Sequence, residues 1–403
     1  MSSRRILFVS QTAAGESLRS AHAIAKLDNV TLLGIVSNVH DTEQLLAAAR
    51  SYGNLTKIVT AQETLLLPVA EANEALGLAA MSSETVKRTL DKSRLKATLK
   101  AAGIKTPRDQ MVTSAGEAQR FVSEVGFPII IKPTGGSGAL TTFRIDSEEQ
   151  LAEVVESIQH PVIAETFVSG DELCVDTVTI DNEPQFYSLC EYDPPIIEAL
   201  QNPETQWHCV MPRQIDDKYR DFITQGLAAV RALQPGNAIT HMEGFVNGGF
   251  IDATLRPAGA RIGPMFGFAC DVDPYRVWAK VMVDGCFDGP LERKFAVGTI
   301  FLRGLGSGVI ERVEGVDSVH EKLNDLLVEA HWPKVSARKS PTYTGDGFIT
   351  VRHADTGVVK DVLDLIDRTI KITYSSSKPD SQSINARLQN YKSLNKPAWE
   401  ATL

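Results

Sequence analysis

The chain has 403 residues, of which 43% are hydrophobic and 23% charged, and its formal net charge is -9 at pH 7. The length predicts two or three domains, and the acidic balance argues against non-specific binding to nucleic acid. Apolar runs are too short for a membrane span or a secretory signal, and the five scattered cysteines lack zinc-type spacing. We therefore expect a cytoplasmic protein with reduced thiols.

The first hundred residues alternate between strand and helix patterns. The segments RRILFVS and VTLLGIVS are typical of buried strands, and GESLRSAHAIAKL between them is typical of a helix. A strand–helix–strand unit of this kind predicts a parallel sheet. The first loop, QTAAGES, has one glycine rather than the GxGxxG of a dinucleotide site, so a plain turn is the better interpretation.

A helical pattern follows from Ser82 to Gly103, where the glycine ends it. Two further helices begin at capping boxes, Ser114 to Glu117 and Ser147 to Gln150. The strand IIIKP lies between these helices, and the strand PVIAETFV follows them. Residues 104–167 are therefore predicted to form a small α+β unit inserted in a larger body.

Beyond residue 168 the pattern changes to longer strands and fewer helices. ELCVDTVTI and QFYSLCEY are strands joined by the turn DNEP, and residues 300–375 mix short strands with the helix VVKDVLDLIDRTI. The segment EYDPPIIEALQNPETQWH is either a loop beside the substrate or a plain surface connection. The tail, residues 376–403, is polar, and we expect it to be loosely held.

The segment IIIKPTGGSG places a lysine at the end of an apolar strand, directly before a glycine-rich turn. The familiar phosphate loop, GxxxxGK[ST], has its lysine after the glycines, so that motif is absent. Lys132 and the glycines could still hold phosphate oxygens, because glycine lets backbone N–H groups approach closely. On this segment alone, a strand that meets a turn is an equally good explanation.

The most informative segment is ITHMEGFVNGGFIDATLR, residues 239–256. Asn247-Gly248 between two alternating runs predicts a β-hairpin with a two-residue loop, in which Val246 pairs with Gly249.

Alternation along the two strands separates an apolar face from a polar face. The register places Glu243 opposite Asp252 and His241 opposite Thr254. The residues on the apolar face are Met242, Val246, Ile251, Ala253 and Leu255. The residues on the polar face are His241, Glu243, Asp252, Thr254 and Arg256.

Two carboxylates directly across a strand pair, about 5 Å apart, repel each other unless something compensates. A hard cation such as Mg²⁺ would compensate, since it prefers oxygen ligands and keeps waters and substrate phosphates as its other ligands. The alternative is a solvated face on which both acids point into water. Arg256 on the same face favours the metal site, because arginine suits a phosphate better than a bare strand.

Taken together, these segments resemble the ATP-grasp superfamily of carboxylate–amine ligases, most closely the L-amino acid ligases, over about residues 1–375. The resemblance is carried, in chain order, by DKSRLKATLKAAGIKTP, FPIIIKPTGGSG, VIAETFVSGDELCVD and the hairpin segment. It implies an α/β protein with the ATP-grasp fold. The implied parts are an N-terminal Rossmann-like parallel-sheet domain (1–103), a small α+β lid (104–167) and a larger α+β C-terminal catalytic domain (168–375).

The resemblance also implies the residues that bind ATP, the metal and the reacting groups. The implied nucleotide-binding residues are Lys92, Lys132, Gly135, Gly136, Ser137, Gly138, Glu165, Phe167, Val168 and Glu172. The lysines and the glycine loop would hold the phosphates, Glu165 and the 167–168 backbone the adenine, and Glu172 the ribose. The implied ligands of Mg²⁺, or of Mn²⁺ as a substitute, are Glu243, Asp252 and Thr254. The implied catalytic residues are Arg256 and Arg261.

The sequence departs from the family pattern near the metal. The second acid is usually Glu and here is Asp252, and the Asn that follows it is here Thr254. Asp is shorter, so we expect one firmly bound metal ion and a weaker second one. Arg261 stands where a small residue is common, and either binds an acidic substrate group or pairs with a nearby acid. His241 either contacts a ligand residue or is only a sheet residue.

The implied function is an ATP-dependent ligase that activates a carboxylate as an acyl phosphate and joins it to an amine, releasing ADP and phosphate. Amino acids or amino-acid-like acids are the expected substrates. We expect small-molecule partners, no nucleic acid and no membrane, and a homodimer is possible. The alternatives are a carboxylase or formate-using relative, and a catalytically impaired ATP-binding protein.

Overall fold

The structure is a computed structural model that describes residues 3–37, 39, 41–135, 141–157 and 161–377. The predicted phosphate-binding residues Gly136, Ser137 and Gly138 lie outside the described residues, as does the tail from residue 378. Among the described residues, no helix is both long and apolar enough to cross a bilayer.

The N-terminal part is a three-stranded parallel sheet with helices beside it, as the strand–helix–strand pattern predicts. Its elements are β1 Arg4–Val9, α1 Gly15–Ala25, β2 Val30–Val36, α2 Thr42–Tyr52, β3 Lys57–Val59 and α3 Leu66–Ala75. The strand order is β2-β1-β3. Since β1 and β3 are parallel, the loops that follow them lie at the same edge of the sheet, including a short 3-10 turn at Glu63–Leu65.

The helix predicted from Ser82 to Gly103 is two helices, α4 Ser83–Leu90 and α5 Lys92–Ala101. The break is at Asp91, whose backbone is extended and whose carboxylate accepts hydrogen bonds from two N–H groups of the next turn. An aspartate that caps a helix in this way starts a new helix, which continuous apolar periodicity conceals. As a result, Lys92 is the first residue of α5.

A second, four-stranded antiparallel sheet lies within residues 104–167 and has a hydrophobic core of its own. Its elements are β4 Asp109–Val112, α6 Ala115–Val125, β5 Ile129–Pro133, β6 Phe143–Ile145, α7 Glu148–Ser157 and β7 Val162–Thr166. The strand order is β4-β7-β5-β6. Both helices begin directly after the predicted capping serines, Ser114 and Ser147, whose hydroxyl oxygens accept backbone hydrogen bonds. This sheet and the helices α6 and α7 form the small α+β lid. The exact boundaries of the three domains stay predictions.

The C-terminal part is built on an eight-stranded antiparallel sheet. Its first elements are β8 Glu172–Ile180, β9 Glu183–Asp193, α8 Ile196–Gln201, β10 Trp207–Met211, α9 Arg220–Leu233, β11 Ala238–Phe245, β12 Gly249–Thr254, α10 Ile262–Cys270 and α11 Pro274–Asp284. The remaining elements are β13 Ala296–Leu302, β14 Ser307–Glu314, α12 Val316–Leu323, β15 Leu327–His331, β16 Gly347–His353, α13 Thr356–Thr369 and β17 Lys371–Ser376.

The strand order of the large sheet is β12-β11-β8-β9-β10-β13-β16-β15, and β14 pairs with β17 separately. Helices α5 and α9 pack on one face of this sheet, and α8 and α10 pack on the other. Because side chains alternate between the faces along each strand, polar residues of β8 and β11 share the α8 face.

The hairpin β11–β12 confirms the predicted pairs His241–Thr254 and Glu243–Asp252. The predicted two-residue loop is wrong, because Phe245 pairs with Gly249 and the register shifts by one residue beyond Glu243. A bulge that places one extra residue in β12 accounts for the shift.

The bulge also reverses one predicted side-chain direction. Ile251, predicted on the apolar face, lines the cavity on the polar side, and Phe250 takes the buried position in the core instead. The register predicted from the sequence is therefore correct for His241 and Glu243, which lie beyond the bulge, and wrong between the bulge and the turn.

Candidate active site

A cavity lies where the lid sheet, the eight-stranded sheet and the N-terminal domain meet. Most of the residues that the sequence predicts to be functional lie around it. The predicted residues that line the cavity are Lys92, Lys132, Gly135, Glu165, Phe167, Val168, Glu172, Glu243, Asp252, Thr254 and Arg256. Arg261 is not among the lining residues.

Lys92 and Asp252 form an ion pair, with Nζ 2.5 Å from Oδ2. Burial opposes the charge of Lys92, but the adjacent Asp252 carboxylate, together with Glu63 and Glu165, raises the pKa of the lysine. The backbone N–H of Lys92 also donates to the carbonyl of Thr134, 2.7 Å away, beside the glycine-rich turn. One of the predicted phosphate lysines thus offsets the charge of one of the predicted metal ligands.

Glu165 lies between two lysines at the base of the lid. Its Oε1 is 2.9 Å from Nζ of Lys132 and 3.0 Å from Nζ of Lys96. Burial would raise the pKa of Glu165, but the two ammonium charges outweigh burial and lower it. The three buried groups together carry two positive charges and one negative charge.

Lys96 is a residue that sequence reasoning missed. It is 1% exposed, and its Nζ lies 3.4 Å from the carbonyl of Phe250 in the hairpin. Burial and the charge of Lys132 lower the pKa of Lys96 to about 8, against the opposing effect of Glu165. Its position in the sequence could have indicated this burial, because Lys96 lies one helical turn after Lys92 and on the same side of α5 as the apolar residue Leu99.

Glu172, the predicted ribose ligand, is the first residue of β8 and is 3% exposed. Its Oε2 accepts a hydrogen bond of 2.6 Å from the backbone N–H of Ile196. Burial, together with the charge of Glu243, raises the pKa of Glu172 to about 8. At neutral pH the carboxyl group is therefore largely protonated and can also donate a hydrogen bond.

Glu243 is held from behind by a network of polar side chains. The His241 ring bridges two acids, with Nδ1 2.7 Å from Oδ1 of Asp176 and Nε2 3.1 Å from Oε1 of Glu243. The Tyr192 hydroxyl donates to the same oxygen of Glu243 at 3.0 Å. Burial opposes ionisation of Glu243, but the charge and hydrogen bond of His241, the Tyr192 hydrogen bond and the charge of Lys92 together lower its pKa to about 2. His241 therefore contacts a predicted metal ligand, as one of the two alternatives expects.

The donor set on this face fits Mg²⁺. Glu243 and Asp252 point carboxylate oxygens into the cavity from paired strands. Within the described part of the chain, the hydroxyl of Thr254 is buried beside them without a hydrogen-bond partner. Buried polar groups normally have a partner, and an ion is one explanation for the exception. Two carboxylates and a hydroxyl are oxygen ligands of the kind that magnesium prefers.

Arg256 is paired with an acid from the N-terminal domain. Its Nη2 lies 2.6 Å and its Nε 3.0 Å from Oε2 of Glu63, and its Nη1 donates to the carbonyl of Pro257. Both members of the pair line the main cavity and a second cavity beside the edge of the N-terminal sheet. Glu63 was missed, although an acid in the loop after a parallel strand is a common ligand position.

Arg261 pairs with two acids outside the main cavity. Its Nη1 lies 3.1 Å from Oε1 of Glu16, its Nη2 contacts Glu329, and its guanidinium lies 4.7 Å from the ring centre of Phe348. The expectation that Arg261 pairs with a nearby acid is confirmed. The catalytic role of Arg261 stays a prediction.

The segment EYDPPIIEALQNPETQWH is part of the cavity wall, so the surface-connection alternative is wrong. The predicted loop is also wrong as secondary structure, because the segment contains the end of β9, the helix α8 and the start of β10. Ile196, Ile197 and Trp207 line the cavity. The indole of Trp207 is fully buried, stacks on Phe301 with ring centres 5.0 Å apart and meets Tyr343 edge-on. Among the described residues, no partner contacts its Nε1–H. An aromatic wall with one unpaired donor thus lines the cavity.

Comparison with known proteins finds similarity to several enzymes. Residues 91–177 match the family model of the carbamoyl-phosphate synthase L chain, ATP binding domain. The L-arginine-specific L-amino acid ligase of Bacillus subtilis is 24% identical over 225 residues, which cover 54% of this chain and 54% of that protein. The match therefore spans about half the length of that curated relative.

Two solved structures resemble the chain over nearly its full length. The L-amino acid ligase from Bacillus licheniformis has a TM-score of 0.74 at 18% identity and covers 93% of this chain and 100% of its own. N5-carboxyaminoimidazole synthetase from Staphylococcus aureus, complexed with ADP, has a TM-score of 0.67 at 15% identity and covers 91% of this chain and 98% of its own. At these identities the likeness concerns the fold.

Proposed function

We propose, from the ATP-grasp fold that this chain has, that the protein is an ATP-dependent ligase that joins a carboxylate to an amine through an acyl phosphate. ADP and phosphate are the products. The observation that carries the proposal is the single cavity that collects lysines, acids and an arginine from the lid, the large sheet and the N-terminal domain. The similarity to ligases supports it.

The lysines supply the positive charge that a nucleotide triphosphate needs. Lys132 enters from the lid strand β5 and Lys92 from the start of α5, so the phosphates are held from two sides. Both side chains are buried and fixed by acids, which keeps their charges in place before ATP arrives. Charge-assisted hydrogen bonds to phosphate are about twice as strong as neutral ones.

The pair Arg256–Glu63 is suited to an amino acid as the acid substrate. Arg256 faces the cavity and would offset the charge that develops during phosphoryl transfer to the substrate carboxylate. Glu63 beside it would accept the ammonium group of the same zwitterion. Glu243, Asp252 and Thr254 would hold magnesium, which supplies Lewis-acid charge on phosphate oxygens when it is bound.

The walls of the cavity would protect the acyl phosphate from hydrolysis. Trp207, Tyr343 and Ile262 form an apolar side, and the lid sheet covers the other side. Exclusion of water matters because an acyl phosphate reacts with water as well as with the amine. The amine then attacks the acyl carbon, the C–N bond forms, and phosphate leaves with the C–O electron pair.

A second candidate is an ATP-binding protein without turnover. It is favoured by one observation, the pairing of Lys92 with Asp252, since an acid neutralised by lysine is a weaker metal ligand. The two candidates differ in whether ATP is consumed, so a turnover assay separates them.

The proposed activity can be tested by trapping the activated acid. The protein is incubated with ATP, magnesium, hydroxylamine and each of a panel of amino acids, and hydroxamate, ADP and AMP are measured. We expect hydroxamate and ADP with the correct acid and neither without magnesium. AMP as the product would refute the acyl-phosphate route. ATP binding without turnover across the panel would favour the second candidate.

The substrate class, the cellular compartment and the oligomeric state of the protein are also proposals. The size and polar lining of the cavity support small-molecule substrates, and the five free cysteines support a reducing compartment such as the cytoplasm. The homodimer stays a prediction, which light scattering of the purified protein would check.

A further inference from the structure

Lys96 belongs to the ion cluster at the base of the lid but does not line the cavity. It extends from α5 in the body of the protein to Glu165, which lies on the lid strand β7. Lys132, on the neighbouring strand β5, reaches the same carboxylate oxygen and also lines the cavity. Two lysines thus share one acid, and one of them is in a position to meet a ligand.

The charges of these three residues do not cancel. If Lys132 and Glu165 were alone, they would form a closed neutral pair, and Lys132 could turn to a phosphate only by leaving a buried carboxylate unpaired. Removing one partner from a buried pair is strongly unfavourable. Lys96 changes this balance, because Glu165 keeps a partner 3.0 Å away whichever way Lys132 turns.

We propose that Lys96 is the permanent counter-ion of Glu165, and that it thereby leaves the positive charge of Lys132 available to the phosphates of ATP. The inference rests on the proposed nucleotide site and adds a positioning residue to it. Lys96 is held by α5 and lies 3.4 Å from the carbonyl of Phe250, so its ammonium group is fixed beside Glu165 while Lys132 faces the cavity.

The test measures equilibrium binding of ADP with magnesium by calorimetry. It compares the effect of Lys96→Met in the wild-type protein with its effect in the Glu165→Gln variant. Lys96→Met should weaken binding at least about tenfold, because Lys132 becomes the sole partner of Glu165. In the Glu165→Gln background the same substitution should change binding less than about threefold, because a neutral amide needs no counter-ion. Arg94→Met on the same helix, which breaks a solvent-exposed ion pair with Glu84, is the matched control and should bind as the wild type does.

A merely structural role for Lys96 would weaken binding equally in both backgrounds, and that result would overturn the inference. Unchanged binding by Lys96→Met would overturn it too. Should that variant not fold, Lys96→Arg keeps the charge and should bind within about threefold of wild type, and its failure to bind when folded would refute the role. If the wild type itself does not bind ADP, the proposed function fails together with this inference.

Discussion

Replacing Asp252 by asparagine tests whether the facing acids of the hairpin repel each other or are held by cations. From the register alone, asparagine should relieve repulsion with Glu243 and leave the fold equally stable or slightly more stable. The structure predicts the opposite result, because Asp252 is the partner of the buried Lys92. Asp252→Asn would leave that ammonium without its counter-ion.

The magnitude follows from how far each partner is buried. The side chain of Lys92 is 9% exposed and that of Asp252 is 30% exposed. Loss of one partner costs about 3–5 kcal/mol for a buried pair and about 0–1 kcal/mol for an exposed one. Glu63 and Glu165 also favour the charge of Lys92, which reduces the loss. We therefore expect Asp252→Asn to lower the free energy of unfolding by about 1–3 kcal/mol.

Urea unfolding without nucleotide or metal measures this effect. The double variant Lys92→Met, Asp252→Asn should recover most of the stability, because neither charge then remains unpaired. Asp217→Asn, which breaks a solvent-exposed pair with Arg220, is the matched control and should be nearly neutral. A single variant that is as stable as the wild type, or more so, would refute the pairing argument.

Three further predictions concern binding, chemistry and pH. Lys132→Ala should fold, since Glu165 keeps Lys96, but should bind ADP at least about tenfold more weakly in calorimetry; wild-type affinity would remove Lys132 from the site. Arg256→Ala should still bind ADP but form no hydroxamate, because the developing charge loses its fixed partner; retained trapping would exclude that role. The pKa of Glu172 is about 8 in the folded protein and 4.5 ordinarily, so the fold favours the protonated carboxyl group. The stabilisation from this group is therefore complete at low pH and is lost as the pH rises toward 8. Glu172→Gln should therefore reduce the pH dependence of the unfolding free energy between about pH 5 and 7.5, and an unchanged dependence would contradict the pKa.

Much of the fold could be predicted from the sequence because its signals are local. The parallel start, both capping serines and the pairing of Glu243 with Asp252 follow from periodicity, cap chemistry and strand alternation, which act within a few residues. The same local view failed at Asp91 and at the hairpin turn. There a cap and a bulge interrupt patterns that are continuous in the sequence.

The sequence also predicted which ligands the candidate site would bind. A lysine before a glycine turn predicts phosphate, and two facing acids predict a metal ion. Which charge neutralises which was decided only by the tertiary structure. Lys92 meets an acid 160 positions away, and Arg256 meets one 193 positions away. Lys96 lies in one of the segments that carry the family resemblance, but its proposed role depends on the packing that buries it against Glu165 of the lid. Ion pairing depends on distance and burial in space, and neither is encoded in the spacing of residues along a chain.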